Sequence, residues 1–145
     1  MTIRVLVADD QAMIRGALAG LLDLEHDIEV VAQAADGAQA IEELARLVGS
    51  SGSSDPSDPA RGSAPVDVAI IDIEMPRMDG ITATQAIRSR FPGVRVLIVT
   101  TFGRPGYLQR ALDAGATGFM VKDAPVETLA DGVRTVAAGG RAIDQ

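Results

Sequence analysis

Five polar residues stand at the ends of short apolar runs, and their types point to one chemistry. Asp9 and Asp10 follow Ile-Arg-Val-Leu-Val-Ala (3–8), and Asp72 follows Val-Ala-Ile-Ile (68–71). Thr100 closes Val-Leu-Ile-Val (96–99), and Lys122 follows Gly-Phe-Met-Val (118–121). Three carboxylates brought together repel one another and raise each other's pKa unless a cation intervenes. A hard divalent ion with oxygen ligands, Mg2+ in a cell, resolves that conflict. Waters, a backbone carbonyl and a phosphoryl oxygen would complete its shell. A carboxylate can also accept a phosphoryl group, and that transfer needs little beyond positioning and charge neutralisation. The metal would take one phosphoryl oxygen, Lys122 a second, and the Thr100 hydroxyl a third. Lys122 is the single lysine of a chain with twelve arginines. A compact ammonium suits a narrow anionic site, whereas a planar guanidinium does not.

These residues need a scaffold that brings the ends of separate runs together. Apolar runs near 3–8, 28–34, 67–71, 95–100 and 118–121 read as strands, and the stretches near 11–22, 37–48, 80–90, 105–114 and 125–138 read as helices. Strict alternation of the two implies parallel strands covered by helices on both faces. Uninterrupted Val/Ile/Leu runs are what doubly covered strands look like. The expectation is an α/β, flavodoxin-like, doubly wound sheet of five strands in order 2-1-3-4-5 with five helices. In such sheets ligands bind outside the carboxyl ends of the strands, which is where all five residues fall. Residues 49–65, rich in Ser, Gly, Pro and Asp, offer nothing to bury. They read as a flexible insertion between the second helix and the third strand.

Composition narrows the alternatives. The 145 residues suit one domain, and 47% hydrophobic content with only 3% aromatics calls for a core of Val, Ile, Leu and Ala. A net charge of −7 makes this chain a poor ligand for phosphate backbones. Without cysteine there is no disulfide framework or thiolate metal site. No signal-peptide pattern and no run near the roughly 20 apolar residues of a membrane span is present, so a cytoplasmic location with no membrane partner is expected.

The stretches Val-Ala-Asp-Asp (7–10), Asp-Ile-Glu-Met-Pro-Arg-Met-Asp-Gly (72–80), Val-Thr-Thr-Phe (99–102) and Ala-Gly-Ala-Thr-Gly-Phe-Met-Val-Lys-Asp (114–123) resemble those of bacterial two-component response-regulator receiver domains. The resemblance covers nearly the whole chain outside the insertion. It is closest to the NarL/LuxR class, and Thr-Thr-Phe-Gly-Arg-Pro-Gly-Tyr-Leu-Gln-Arg-Ala (100–111) looks like DesR-type regulators. It implies a receiver over residues 1–140, with 141–145 beginning a linker to a helix-turn-helix DNA-binding domain outside this chain. By the same resemblance Asp72 is the phosphoacceptor, and Mg2+ sits on Asp9, Asp10, Asp72 and the backbone carbonyl of Glu74. Thr100 and Lys122 contact the phosphoryl group, and Thr100 with Phe119 forms the switch pair. A sensor histidine kinase would be the donor, and phosphorylation would favour a homodimer that controls transcription. The module would not be an enzyme beyond its own phosphorylation and dephosphorylation.

Two departures from the family pattern stand out. Asp123, not Pro, follows Lys122, which leaves the isomer of that peptide bond open. The switch aromatic is Phe119 rather than Tyr. Two rival functions accompany the reading. An aspartate-nucleophile phosphatase would use Asp72 and Glu74 but leaves Asp9 and Asp10 unexplained. A phosphorylation-independent interaction module would have no need of the complete acidic set.

The first helix is expected to bury Ile14, Ala17, Leu18, Leu21 and Leu22. Its opposite face would then carry the small residues Ala12, Gly16, Ala19 and Gly20. A solvated face usually carries charge, so this strip, with Thr128, Asp131 and Thr135 of the last helix, is the expected dimer contact, the competing surface being the fourth helix, fifth strand and fifth helix. The poor helix nucleus at Gly103-Arg104-Pro105-Gly106 marks the fourth helix as the expected moving element.

Overall fold

The computed structural model describes residues 2–51, 66–100, 106–122 and 125–143. Among the described residues six strands form one parallel sheet in the order β2-β1-β3-β4-β5-β6. They are β1 (Ile3–Ala8), β2 (Ile28–Ala34), β3 (Val68–Ile71), β4 (Arg95–Thr100), β5 (Gly118–Val121) and β6 (Ala142–Ile143). Because successive side chains alternate across a strand, each central run feeds two cores. Val5, Val7, Val68, Ile70, Leu97, Val99 and Met120 pack in one layer beneath α1 (Ala12–Asp23) and α5 (Val126–Ala137). Leu6, Ala8, Ala69, Ile71, Val96, Ile98 and Phe119 pack in the other, beneath α2 (Gly37–Ser51), α3 (Gly80–Arg90) and α4 (Tyr107–Ala114). The flavodoxin-like expectation holds, with one strand more than the sequence suggested.

That extra strand lies in the tail read as the start of a linker. After α5 the chain turns at Gly139, whose φ is 96°, and β6 then pairs in parallel with β5 at Ala142↔Gly118 and Ile143↔Phe119. Two residues carry no periodicity, so their pairing is a property of the exposed edge of β5 and not of their own sequence. The expected insertion begins three residues late, because α2 continues to Ser51. Its remainder, 52–65, lies outside the described residues.

The helices start where local chemistry directs. Asp36 accepts the Gln39 N–H at 2.8 Å ahead of α2, and Asp79 accepts the Thr82 N–H at 2.8 Å ahead of α3. Arg88 and Arg90 lie in the last turn of α3, where the helix dipole favours cations. The phase of α1 differs from expectation. Ala19 and Leu22 are buried, with Ile14, Arg15 and Leu18 partly so, while Ala17 and Leu21 face outward. Almost every residue of α1 is small or apolar, so its periodicity sets no single inward face. Two tertiary facts set it instead. Arg15 turns in to donate to the Asp9 carbonyl at 2.9 Å, and the small Ala19 lies in the core layer shared with the sheet.

Candidate functional site

Strand register brings the polar residues together. Ala8 pairs with Ile71, so the next residues, Asp9 and Asp72, leave the sheet side by side. Ile71 also pairs with Ile98, two residues before Thr100, and Thr100 pairs with Val121, the residue before Lys122. Backbone bonds lock this edge: Asp72 N–H donates to the Ala8 carbonyl at 3.0 Å and Lys122 N–H to the Thr100 carbonyl at 2.9 Å. The loop after Asp72 folds tightly back. Gly80 N–H donates to the Ile73 carbonyl at 2.9 Å, and a Cβ on Gly80 would lie 2.1 Å from the Asp72 carbonyl oxygen. Only glycine fits at position 80, which explains the Asp-Gly that ends the motif.

Lys122 is the hub. Its Nζ lies 2.5 Å from Asp9 Oδ2 and 3.0 Å from Asp72 Oδ2, with side-chain exposures of 10%, 1% and 9% for Lys122, Asp9 and Asp72. Burial pushes the Asp72 carboxyl above its ordinary value, Lys122 opposes the rise, and the negative charge of Asp9 adds to it. Burial alone would lower the Lys122 pKa, but the bonds to Asp9 and Asp72 outweigh it and hold the ammonium above the ordinary lysine value. The site at neutral pH is therefore a charged lysine between buried acids.

Carboxylate oxygens of Asp9, Asp10 and Asp72 all lie within 4.8 Å of one another. Asp9 Oδ1 accepts the Gln11 N–H at 2.9 Å, and its buried Oδ2 pairs with the Lys122 ammonium. Three hard oxygen donors this close together, with one ammonium among them, fit a hard divalent cation such as Mg2+.

The other expected residues fall as follows. Thr100 is buried at the end of β4, and Phe119 is buried in the α2/α3/α4 layer, with Tyr107 and Leu108 against the same cluster. Glu74 is exposed in the β3–α3 loop, where its carboxylate accepts the Tyr107 hydroxyl at 3.4 Å. Ala12, Gly16, Gly20, Thr128, Asp131 and Thr135 are exposed. Ala19 is 5% exposed, too buried to contribute to a contact. The outward stripe of α1 and its C-cap is instead Met13, Gly16, Ala17, Gly20, Leu21 and Leu24. Gly103 to Pro105 and the Lys122–Asp123 bond lie outside the described residues. Sequence reading missed three residues bordering the site: Arg15, Asp36 and Arg77. Only Asp36 left a local trace, as an Asp-Gly pair before a helical pattern.

Similarity to known proteins agrees with this geometry. Residues 5–134 match the model for the response regulator receiver domain. The chain is 39% identical over 139 residues to the transcriptional regulatory protein YvfU of Bacillus subtilis, covering 96% of this chain and 61% of that protein. It is 38% identical to the transcriptional regulatory protein DesR of the same organism, covering 96% of this chain and 60% of that one. The chain thus spans about three fifths of the length of these relatives. The crystal structure of a LuxR-family two-component response regulator from Aurantimonas sp. SI85-9A1 superposes with a TM-score of 0.81 at 26% identity, covering 98% of this chain and 89% of that one. A three-acid edge with a bridging lysine, the matching domain model and these relatives lead to one conclusion: the chain belongs to the response-regulator receiver family, in its NarL/LuxR class.

Proposed function

We propose that Asp72 accepts a phosphoryl group from a sensor histidine kinase and that the resulting change controls transcription through a DNA-binding domain joined beyond this chain. The observation that carries this reading is the Lys122 ammonium bridging Asp9 and Asp72 at the open edge of the sheet. In the transfer, a carboxylate oxygen of Asp72 bonds to phosphorus. The donor's phosphorus–nitrogen bond breaks, and its electron pair returns to the imidazole. Asp9, Asp10, Asp72 and the Glu74 carbonyl would hold Mg2+. That ion supplies neutralisation of the carboxylates and of the incoming phosphoryl oxygens. Lys122 would exchange its Asp72 contact for a phosphoryl oxygen, and the Thr100 hydroxyl would donate to another. Moving that hydroxyl toward the phosphoryl group vacates space toward which Phe119 can shift, and with it α4, among pre-existing states.

Incubation with a small phosphodonor and Mg2+, read by intact mass, tests the assignment. One phosphoryl group should add to the wild-type chain and none to Asp72→Ala. A gain on Asp72→Ala would defeat it. Rapid turnover of the donor at catalytic protein concentration would favour a phosphatase instead.

Phosphorylation would also favour a homodimer. The outward stripe of α1 supports this, since Met13 and Leu24 are 89% and 79% exposed. Contiguous exposed apolar surface marks interaction sites. With Ala19 excluded, the proposed contact is Ala12, Met13, Gly16, Ala17 and Gly20 together with Thr128, Asp131 and Thr135. Gly16→Glu or Ala17→Glu should keep the phosphorylated domain monomeric in sedimentation. Wild-type dimerisation in both would move the interface elsewhere.

A further inference from the structure

We infer that Arg77, through its ion pair with Asp36, is a positioning residue for the loop that carries the metal-binding backbone. The inference rests on the metal and phosphoacceptor reading above. Among the described residues Arg77 is the one non-glycine with a positive φ, at 65°. A side chain in the left-handed region is strained and persists only where its surroundings hold it. What holds it here is specific. The Arg77 guanidinium lies 2.5 Å from Asp36 Oδ2, although the Arg77 side chain is 74% exposed and that of Asp36 only 1%.

Asp36 is a fixed anchor. Its Oδ1 is committed to the Gln39 N–H at 2.8 Å as the cap of α2, while Oδ2 has no well-directed hydrogen bond and faces Arg77. The Gln39 bond and then Arg77 hold the Asp36 carboxyl below its ordinary pKa, so it is charged at neutral pH. The backbones interlock beside the pair. Gly37 N–H donates to the Met78 carbonyl at 3.2 Å, and a Cβ on Gly37 would lie 2.7 Å from that oxygen. The loop from Asp72 to Gly80 is therefore braced at two places: at its closure by Gly80 on Asp72, and at its crest by Asp36 and Gly37 on Arg77 and Met78. The Glu74 carbonyl lies between the two braces. With the crest free, the left-handed turn can relax, and the carbonyl and the Asp72 carboxylate lose their fixed separation.

A simple charge argument predicts the opposite sign. Deleting a cation from the neighbourhood of a divalent-metal site should tighten metal binding. A positioning role predicts weaker binding. The experiment is Mg2+ titration by calorimetry on the full chain. Arg77→Gly removes the ion pair yet tolerates positive φ, so it introduces no new strain. It should weaken Mg2+ binding about tenfold, at the low end of the range for supporting residues. Asp36→Asn keeps the capping oxygen and should do the same, and the double variant should lose no more than either single one. Arg77→Lys should restore most of the affinity. Phosphorylation by a small donor should fall at limiting Mg2+ and recover at saturation, a split that general destabilisation would not give. The Gly37 amide should also exchange faster with solvent in Arg77→Gly. Unchanged or tighter Mg2+ binding in Arg77→Gly, beside a wild type that binds Mg2+ and is phosphorylated, overturns the positioning role alone. A wild type that binds no Mg2+ overturns the site reading with it.

Discussion

Two clusters in this molecule use the same ingredients, one cation among several acids, with opposite results. At the carboxyl edge of the sheet Lys122 bridges Asp9 and Asp72 with Asp10 beside them. At the other edge Arg134 of α5 reaches Glu25 at 2.8 Å, Asp27 at 2.8 Å and Asp131 at 2.9 Å. The Arg134 fork satisfies three acids with directed bonds in partly solvated surroundings, and its hydrogen bonds hold the Asp27 carboxyl down at about 2. The Lys122 cluster is buried, and burial pushes the Asp72 carboxyl up. The first arrangement is at rest and clamps α5 to the α1–β2 turn. The second crowds three carboxylates around one ammonium in a buried place, a negative excess that a divalent cation can neutralise. Helix α1 runs from one cluster to the other, from Asp9 and Arg15 at its start to Glu25 and Asp27 just past its end.

The sharpest way to break the comparison is to remove each cation. Lys122→Ala leaves Asp9 and Asp72 facing each other without a partner. Breaking a buried pair in this way should cost about 3 kcal/mol in urea denaturation without metal. Mg2+ should return part of that loss, and an unchanged midpoint would mean that the buried charges were never in tension. Arg134→Ala should lower the melting temperature by less. Because its partners are partly exposed, the loss should shrink at high salt.

The pH dependences should also have opposite signs. The folded pKa of Asp72 lies above its unfolded value, so its ionisation destabilises the metal-free fold as pH rises through that folded pKa. Asp72→Asn should therefore be more stable than wild type at neutral pH, with the difference vanishing below the ordinary carboxylate range. Asp27 has its folded pKa lowered from 3.8 to about 2, so its contribution is full above 3.8 and lost as pH falls through about 2. The gap between wild type and Arg134→Ala should close over that window. Thermal melts of the three proteins between acid and neutral pH check both signs.

The smallest effect lies on the helix between the clusters. A Cβ on Gly16 or Gly20 would meet nothing within 4 Å. Gly16→Ala and Gly20→Ala should each stabilise the domain by about 0.5–1 kcal/mol. If either destabilises, the outward face of α1 is already covered.

What the sequence alone determined is the edge. Asp9, Asp10, Asp72, Thr100 and Lys122 could be placed together because each ends an apolar run, and parallel strands leave all carboxyl ends on one side. The alternating elements and the two-faced core were legible for the same reason. The rest needed tertiary structure. Strand β6 has two residues and no period of its own, and it exists because β5 offers a free edge. The inward face of α1 was ambiguous because nearly every side chain there is apolar or small, and Arg15 with Ala19 resolved it. The Arg134 clamp joins residues 107 and 109 positions apart in the chain, and the Asp36–Arg77 brace joins two loops on different strands. Periodicity and local motifs report only neighbours along the chain. Ion pairs between distant turns are decided by where the finished sheet sets those turns down.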